Sequence, residues 1–151
     1  TPDPAAIVIT QHDLQSLPIH AGTISLQPDS GRTLIHLPVI AYSDATTHDL
    51  TTTILDTPVT VRVTPLTYTW DFGAGIPPFT TTDPGRPYPN HTVSATYRHV
   101  AENLTVNATI TWAGEYHLNN TGPWLPIDGT ATTTITSQPF NTHEAPARLT
   151  G

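Results

Sequence analysis

Proline and glycine recur along the whole sequence, and their spacing limits the fold more than any other feature. The 151 residues include 16 prolines and 9 glycines, which exclude long helices almost everywhere. The intervals hold short alternating or apolar runs, the pattern of β-strands joined by turns. We therefore predict an all-β fold, an antiparallel β-sandwich.

Alternation between apolar and polar residues marks the two clearest strands. Valine occupies every second position from 59 to 63, but after Pro65 the apolar positions shift by one, to 66, 68, 70 and 72. A slip of one residue inverts the faces of a strand, so we expect either a β-bulge or a change of sheet at Pro65. The longest alternation covers residues 104–112, with apolar side chains at the even positions.

Shorter patterns predict the remaining elements. Further strands are expected at residues 5–10, 23–26, 33–42, 91–98 and 130–136. The run 33–42 is apolar on both faces, which predicts a central strand. Residues 43–56 are predicted to form a loop with a short edge strand, residues 73–90 a long loop and the residues after 138 a tail. Thr10 and Asp13 have the spacing of a capping box, which predicts a short helical turn.

Composition excludes several binding chemistries. The chain has no cysteine, its five basic residues are all arginine, and its formal net charge is −7. Disulfides and thiolate metal sites are therefore excluded, and no basic patch could neutralise a row of phosphates. We predict no nucleic-acid partner and no anionic lipid surface. Thirty threonines suit strands and favour a neutral, hydroxylated surface of the extracellular kind.

The sequence also bears on localisation. No apolar run approaches the length of a membrane span, so we predict no membrane insertion of the mature chain. The sequence contains no methionine and opens on the proline-rich Thr1-Pro2-Asp3-Pro4. These features predict either a secreted or cell-surface protein whose leader has been removed or an excised fragment.

A short aromatic and glycine-rich motif is the most informative segment. Residues 70–75 read Trp-Asp-Phe-Gly-Ala-Gly. This segment resembles the signature of PKD (polycystic-kidney-disease repeat) domains, Trp-Asp-Phe-Gly-Asp-Gly. A second, less specific part of the pattern follows the long loop, as Ala-Thr-Tyr at 95–97 and Leu-Thr-Val-Asn-Ala-Thr at 104–109. The resemblance covers residues 58–136.

The resemblance implies an immunoglobulin-like β-sandwich over residues 58–138. Residues 1–57 would form a β-rich extension that is packed on or exchanged with the sandwich, and residues 139–151 a C-terminal tail. The wider pattern is similar to exported actinobacterial surface proteins, a group without an established activity. The motif residues are expected to be structural, as core aromatics and turn formers: Trp70, Asp71, Phe72, Gly73, Gly75, Tyr97 and Trp112.

No pattern indicates a catalytic centre or a cofactor. The eight histidines have no recognised ligand spacing, the carboxylates are dispersed, and no Gly-x-Ser-x-Gly elbow is present. Ala74 replaces the acidic residue of the PKD turn, which weakens the case for calcium because calcium needs several oxygen ligands. We therefore predict no enzymatic activity, no cofactor and no metal ligands, with calcium as the one remaining candidate.

Three surface features bear on partners. The apolar run at the N-terminus either pairs within its own domain or is a donor strand that completes a neighbouring subunit's sheet: Ala6, Ile7, Val8 and Ile9. Loop aromatics are candidate platforms for sugars or prolines, with packing of Trp124 under its own loop as the alternative: Tyr88, Tyr116 and Trp124. Asn-x-Thr sequons provide four candidate glycosylation sites: Asn90, Asn103, Asn107 and Asn119.

Together these features predict a non-catalytic structural or adhesive module of the cell surface, with a polymeric pilus or filament as one form of assembly. Its partners would be other surface proteins, further copies of itself or glycans. The alternative is an accessory module of a secreted protein that binds a polysaccharide or a protein.

Overall fold

The computed structural model describes residues 7–145, and these form an all-β sandwich with one short helix. The helix α1 covers Gln11–Ser16. The strands are β1 (Ile24–Gln27), β2 (Arg32–Leu34), β3 (Pro38–Ser43), β4 (His48–Ile54), β5 (Thr57–Asp71), β6 (Phe79–Thr81), β7 (Ser94–Thr96), β8 (Ala101–Leu104), β9 (Asn107–Leu118), β10 (Thr121–Pro126), β11 (Ala131–Thr136) and β12 (Phe140–His143). No helix among the described residues has the length and apolar character to cross a membrane.

The two longest strands, β5 and β9, pair antiparallel at the centre of a six-stranded sheet. Strands β4 and β10 flank the half of this pair that lies before Pro65 in β5, whereas β6 and β11 flank the other half. Two three-stranded sheets, β1-β3-β7 and β2-β12-β8, complete the strand pairing. Among residues 7–145 all strand pairs are antiparallel except that of β2 with β12.

The predicted phase slip at Pro65 is a β-bulge. The register between β5 and β9 shifts between Pro65 and Thr67. Leu66, predicted to share a face with residues 68, 70 and 72, lies at this shift and is 43% exposed, so that part of the prediction was wrong. The bulge adds one residue to β5, so the inward-facing positions change from odd to even numbers. The valines at 59, 61 and 63 and the aromatic residues at 68, 70 and 72 are therefore all buried. Strand β5 therefore stays in one sheet.

The run 33–42 is not one central strand, and here the prediction was wrong. The chain breaks at His36, which has φ +67°, and its amide donates to the carbonyl of Tyr97 at 2.8 Å. Before the break β2 pairs with β12; after it β3 lies between β1 and β7. A positive φ interrupts the extended ladder, so the apolar run serves two sheets.

Three predicted irregular segments contain strands. Residues 43–56 include β4, which is an edge strand as expected but seven residues long. Strand β6 lies within the predicted loop 73–90, and β12 lies between β2 and β8 although it follows residue 138. Phe140 of β12 is buried, and pairing with β2 and β8 forms this strand although its sequence predicted no strand.

The strand predicted at 91–98 is shorter than expected, and the strand predicted at 104–112 begins and ends later in the chain. Only Ser94–Thr96 forms a strand in the first region, whereas β9 begins at Asn107 and continues to Leu118. Between residues 106 and 112 the even positions are all buried, as the alternation predicted. The strand predicted at 130–136 is confirmed as β11.

The N-terminal segment differs from the predicted strand. Residues 7–10 form no strand, although Ile7 and Ile9 are buried and Val8 is 68% exposed. The capping box is confirmed: the Asp13 amide donates to the Thr10 hydroxyl at 3.2 Å, and the Thr10 amide donates to the Asp13 carboxylate at 2.9 Å. Ala6 lies outside the described residues.

One hydrophobic core unites the described chain. Its buried cluster includes Leu14 from the helix, Trp70 and Trp112 from the central strands and Phe140 from β12. The N-terminal segment and β12 therefore pack into the same core as the aromatic residues of the motif at 70–75.

Candidate functional site

The motif at the end of β5 is built into the core. The side chains of Trp70, Phe72 and Trp112 are completely buried. The indole N–H of Trp70 donates to the hydroxyl of Thr81 at 3.0 Å, and that of Trp112 donates to Thr133 at 2.9 Å. The polar atoms of both tryptophans are therefore satisfied within the chain.

The turn after β5 is closed by a side chain and by backbone conformation. The Asp71 carboxylate accepts the amide of Gly73 at 2.9 Å. Gly73, Ala74 and Gly75 all have positive φ, of +70°, +53° and +80°. No atom of a neighbouring segment lies within 4 Å of a Cβ built on either glycine, so φ rather than space favours glycine there.

Tyr97 closes the other side of this turn. It is 1% exposed, and its hydroxyl donates to the carbonyl oxygen of Phe72 at 2.6 Å. Burial, with a smaller contribution from the charge of Asp71, raises the pKa of the Tyr97 phenol well above its usual range. The hydroxyl stays a neutral donor at physiological pH.

A cavity of about 420 Å³ lies beside the turn. Its wall includes Gly75, Pro77, Arg98 and His99, and all four are exposed. Among the described residues no group of three histidine, aspartate or glutamate side chains is placed to hold a metal ion, here or elsewhere.

A second candidate site crosses the outer face of the six-stranded sheet. We call it the Trp124 row: Trp124 of β10, His117 of β9, Arg62 of β5 and Asp49 of β4. The rings of Trp124 and His117 stack with centroids 3.9 Å apart, and the Arg62 guanidinium lies 4.2 Å from the centre of the indole ring. The row joins an aromatic platform to an ordered cation across four strands.

Asp49 fixes the position of Arg62. Its carboxylate accepts two hydrogen bonds from the guanidinium, at 2.9 and 3.2 Å. These bonds hold the pKa of Asp49 below its usual value, although both side chains are well exposed to solvent. The bidentate pair therefore orients Arg62 against the indole and contributes little to stability.

The three aromatic residues predicted for loops have different environments. Trp124 is half-buried on β10, and Tyr116 is a core residue of β9, only 5% exposed. Tyr88 lies in a loop, is 70% exposed and stacks on His91 with centroids 6.0 Å apart. Of the predicted platforms, Tyr88 and Trp124 thus remain on the surface.

The four sequons lie on different parts of the surface. Asn90 is exposed in a loop, Asn103 is exposed on β8, and Asn119 is exposed in the turn between β9 and β10. Asn107 is half-buried, and its side-chain oxygen accepts the hydroxyl of Thr136 at 2.7 Å. Glycosylation of these residues stays a prediction.

Sequence reasoning missed the Trp124 row. The alternation of β5 placed Arg62 on the outer face, and His117 was visible as one of eight histidines. The register that brings Thr60 opposite His117 and Arg62 opposite Glu115 could not be derived, because strand order is a property of the tertiary fold.

Comparison of the chain with protein families, curated proteins and solved structures gives no match.

Proposed function

We propose that this chain is a non-catalytic structural or adhesive module of the cell surface. The proposal rests on the hydrogen bonds that the motif's polar groups make within the fold. The N–H groups of Trp70 and Trp112 and the hydroxyl of Tyr97 each bond a partner in the same chain. Because these three groups are engaged within the fold, the motif stabilises a scaffold, and this supports a structural role.

Localisation tests this proposal directly. An antibody against the folded chain, used for immunogold electron microscopy on intact cells that make it, is expected to label the cell exterior as filaments or wall patches. Labelling confined to the cytosol would contradict the proposal. A matched section of cells that lack the gene controls for nonspecific labelling.

A second candidate function is binding of a polysaccharide or protein partner at the Trp124 row. Supporting it are the stacked indole and imidazole and the guanidinium held in place by Asp49. Aromatic faces stack on sugar rings, and an oriented guanidinium donates to hydroxyl or carbonyl oxygens.

A glycan array tests this second function. The full chain is expected to bind at least one glycan, and Trp124→Ala is expected to lose that binding. Tyr88→Ala serves as the matched control, because it removes an exposed aromatic ring away from the row. Absence of binding on a broad panel, or equal loss in both variants, would count against the row as a glycan site.

A further inference from the structure

The segment Ile7–Ser16, which we call the N-terminal cover, packs on the buried face of the β5–β9 half that lies before the bulge. Ile9 borders the same cavity as Ile54 and Val61, and the Tyr116 hydroxyl donates to the Ile7 carbonyl at 3.4 Å. Leu14 is completely buried, and its side chain would lie 2.9 Å from a Cβ at Gly114. The cover thus supplies apolar packing to Val61 of β5 and covers Gly114 of β9.

Side chains, and no strand ladder, connect the cover to the sheet. The Gln15 amide group pairs with both backbone groups of Thr132, at 2.9 Å each, and Gln11 donates to the Thr130 carbonyl at 2.9 Å. These two glutamines occupy part of the outer edge of β11 in the way that a neighbouring strand would. The cover can therefore separate without breaking any strand pair.

A short linker joins the cover to β1. It runs over residues 17–23 and contains Pro18 and Gly22, whose φ is +79°. At its far end the Thr23 amide and hydroxyl both bond the Asp44 carboxylate. The linker is thus anchored at Thr23 and also at His20, whose amide donates to the His48 ring at 3.0 Å, while Leu17 and Ile19 pack against the core. Exchange of the cover therefore releases these linker contacts as well, and a change of backbone angles at Ala21 and Gly22 would redirect the cover.

We propose that the cover is exchanged between two copies of this chain, so that the cover of one copy packs on the sheet of the other. Exchange requires no new interface, because the cover makes the same contacts with the sheet of a second copy as it makes with its own sheet. Loss of the cover would expose buried residues of β5 and β9, and an identical segment restores their packing. This inference deepens the proposed structural role by naming a second copy as the partner.

Concentration decides between the two arrangements. A segment tethered by a short linker has an effective concentration in the millimolar range, so a dilute chain closes on itself. A crowded surface, or a linker too short to fold back, favours exchange. Reciprocal exchange gives a closed dimer, and sequential exchange gives a chain of copies; both require the same contact in trans.

Chemical cross-linking of single-cysteine variants tests the exchange, and the chain has no cysteine to interfere. Gln11→Cys and Thr130→Cys proteins are mixed at high concentration, briefly warmed, cooled and treated with a short bis-maleimide. Gln15 remains to hold the helix. Exchange predicts a severalfold greater yield of mixed dimer than a control mixture of Thr109→Cys and Thr134→Cys, whose hydroxyls lie 3.3 Å apart within one sheet.

A shortened linker provides a second, independent readout. Deleting His20 and Ala21 is expected to shift the chain from monomer to dimer or larger species in sedimentation. The inference is overturned if the mixed-dimer yield equals the control and the shortened chain stays a folded monomer. Surface labelling without exchange would support the proposed function and contradict this inference. Exchange without surface labelling would support this inference and contradict the proposed function.

Discussion

The hydroxyl of Tyr97 donates a 2.6 Å hydrogen bond to the carbonyl oxygen of Phe72, and the rings of the two residues lie 6.4 Å apart. This contact joins the residue after β7 to the third residue of the motif, which lies 25 positions earlier in the sequence. It fixes the turn from both sides, since Asp71 closes the same turn locally. The turn is therefore held by a long-range bond as well as by its own glycines.

Replacement of Tyr97 by phenylalanine is expected to destabilise the chain by about 1–3 kcal/mol. The change leaves the Phe72 carbonyl without its buried donor while preserving the ring. Urea denaturation monitored by tryptophan fluorescence measures the effect. Tyr88→Phe is the control and should change stability by less than about 0.5 kcal/mol, because Tyr88 is exposed. Equal effects in the two variants would contradict a special role for Tyr97.

Alkaline pH should weaken the fold through buried phenols. Burial raises the pKa values of Tyr97 and Tyr68 above the value of about 10 of an unfolded tyrosine. Since the unfolded chain then releases these protons first, the stabilisation is complete below about pH 10 and decreases as the pH rises beyond it. Urea midpoints from pH 7 to 11 should fall less steeply for Tyr97→Phe than for the parent. Parallel curves would contradict this assignment.

Several features of the fold followed from the sequence because they depend on local chemistry. The capping box at Thr10 and Asp13, the bulge at Pro65 and the alternation of β9 each rest on residues near one another in sequence. The division of the run 33–42 between two sheets could not be predicted, because nothing in the apolar pattern marks His36 as a residue with positive φ. Strand β12 was missed because its order comes from partners β2 and β8.

The candidate site shows the same limit. The sequence predicted Trp124 in a loop, as a candidate platform, whereas it lies on β10, and the residues that contact it were not predicted. Arg62 lies 62 positions away from Trp124 along the chain, and only the registers of β5, β9 and β10 bring both to one face. Such cross-strand partners require the strand order, which local patterns do not contain.

Replacement of Gly114 by alanine should loosen the N-terminal cover. A Cβ at this position lies 2.9 Å from a methyl of Leu14 and 3.0 Å from one of Ile127, so the added methyl crowds the helix. We expect a loss of about 1–3 kcal/mol in urea denaturation. The matched comparison is the same substitution in a Leu14→Ala variant, which is itself destabilised. Gly114→Ala should lower the free energy of unfolding by less in that variant than in the parent, because the smaller side chain partly removes the clash. Additive losses would show that the two residues do not interact.

Thr10→Ala should cost about 1 kcal/mol by removing the helix cap, whereas Thr10→Ser should preserve it. Bonds from the Thr10 amide and hydroxyl lower the pKa of Asp13, so their stabilisation is present above about pH 4 and is lost as the pH falls through the lowered value. Stability measured from pH 7 to 3 should therefore fall more steeply for the parent than for Thr10→Ala. A steeper fall in the alanine variant would contradict this account.

Asn120 has both a side-chain hydrogen bond and a left-handed backbone conformation, and two substitutions can test these features separately. Its φ is +54°, and its side-chain oxygen accepts the hydroxyl of Thr60 at 2.6 Å; Thr60 itself is 7% exposed. Asn120→Gly keeps the conformation and loses the bond, so we expect about 1–2 kcal/mol of destabilisation. Asn120→Ala loses the bond and also strains the turn between β9 and β10, which adds about 1 kcal/mol. Urea denaturation of the two variants separates the contribution of the hydrogen bond from that of the backbone conformation. Thr60→Val removes the other partner of the bond and serves as the control. If alanine and glycine prove equal, the left-handed conformation is not what selects asparagine at this turn.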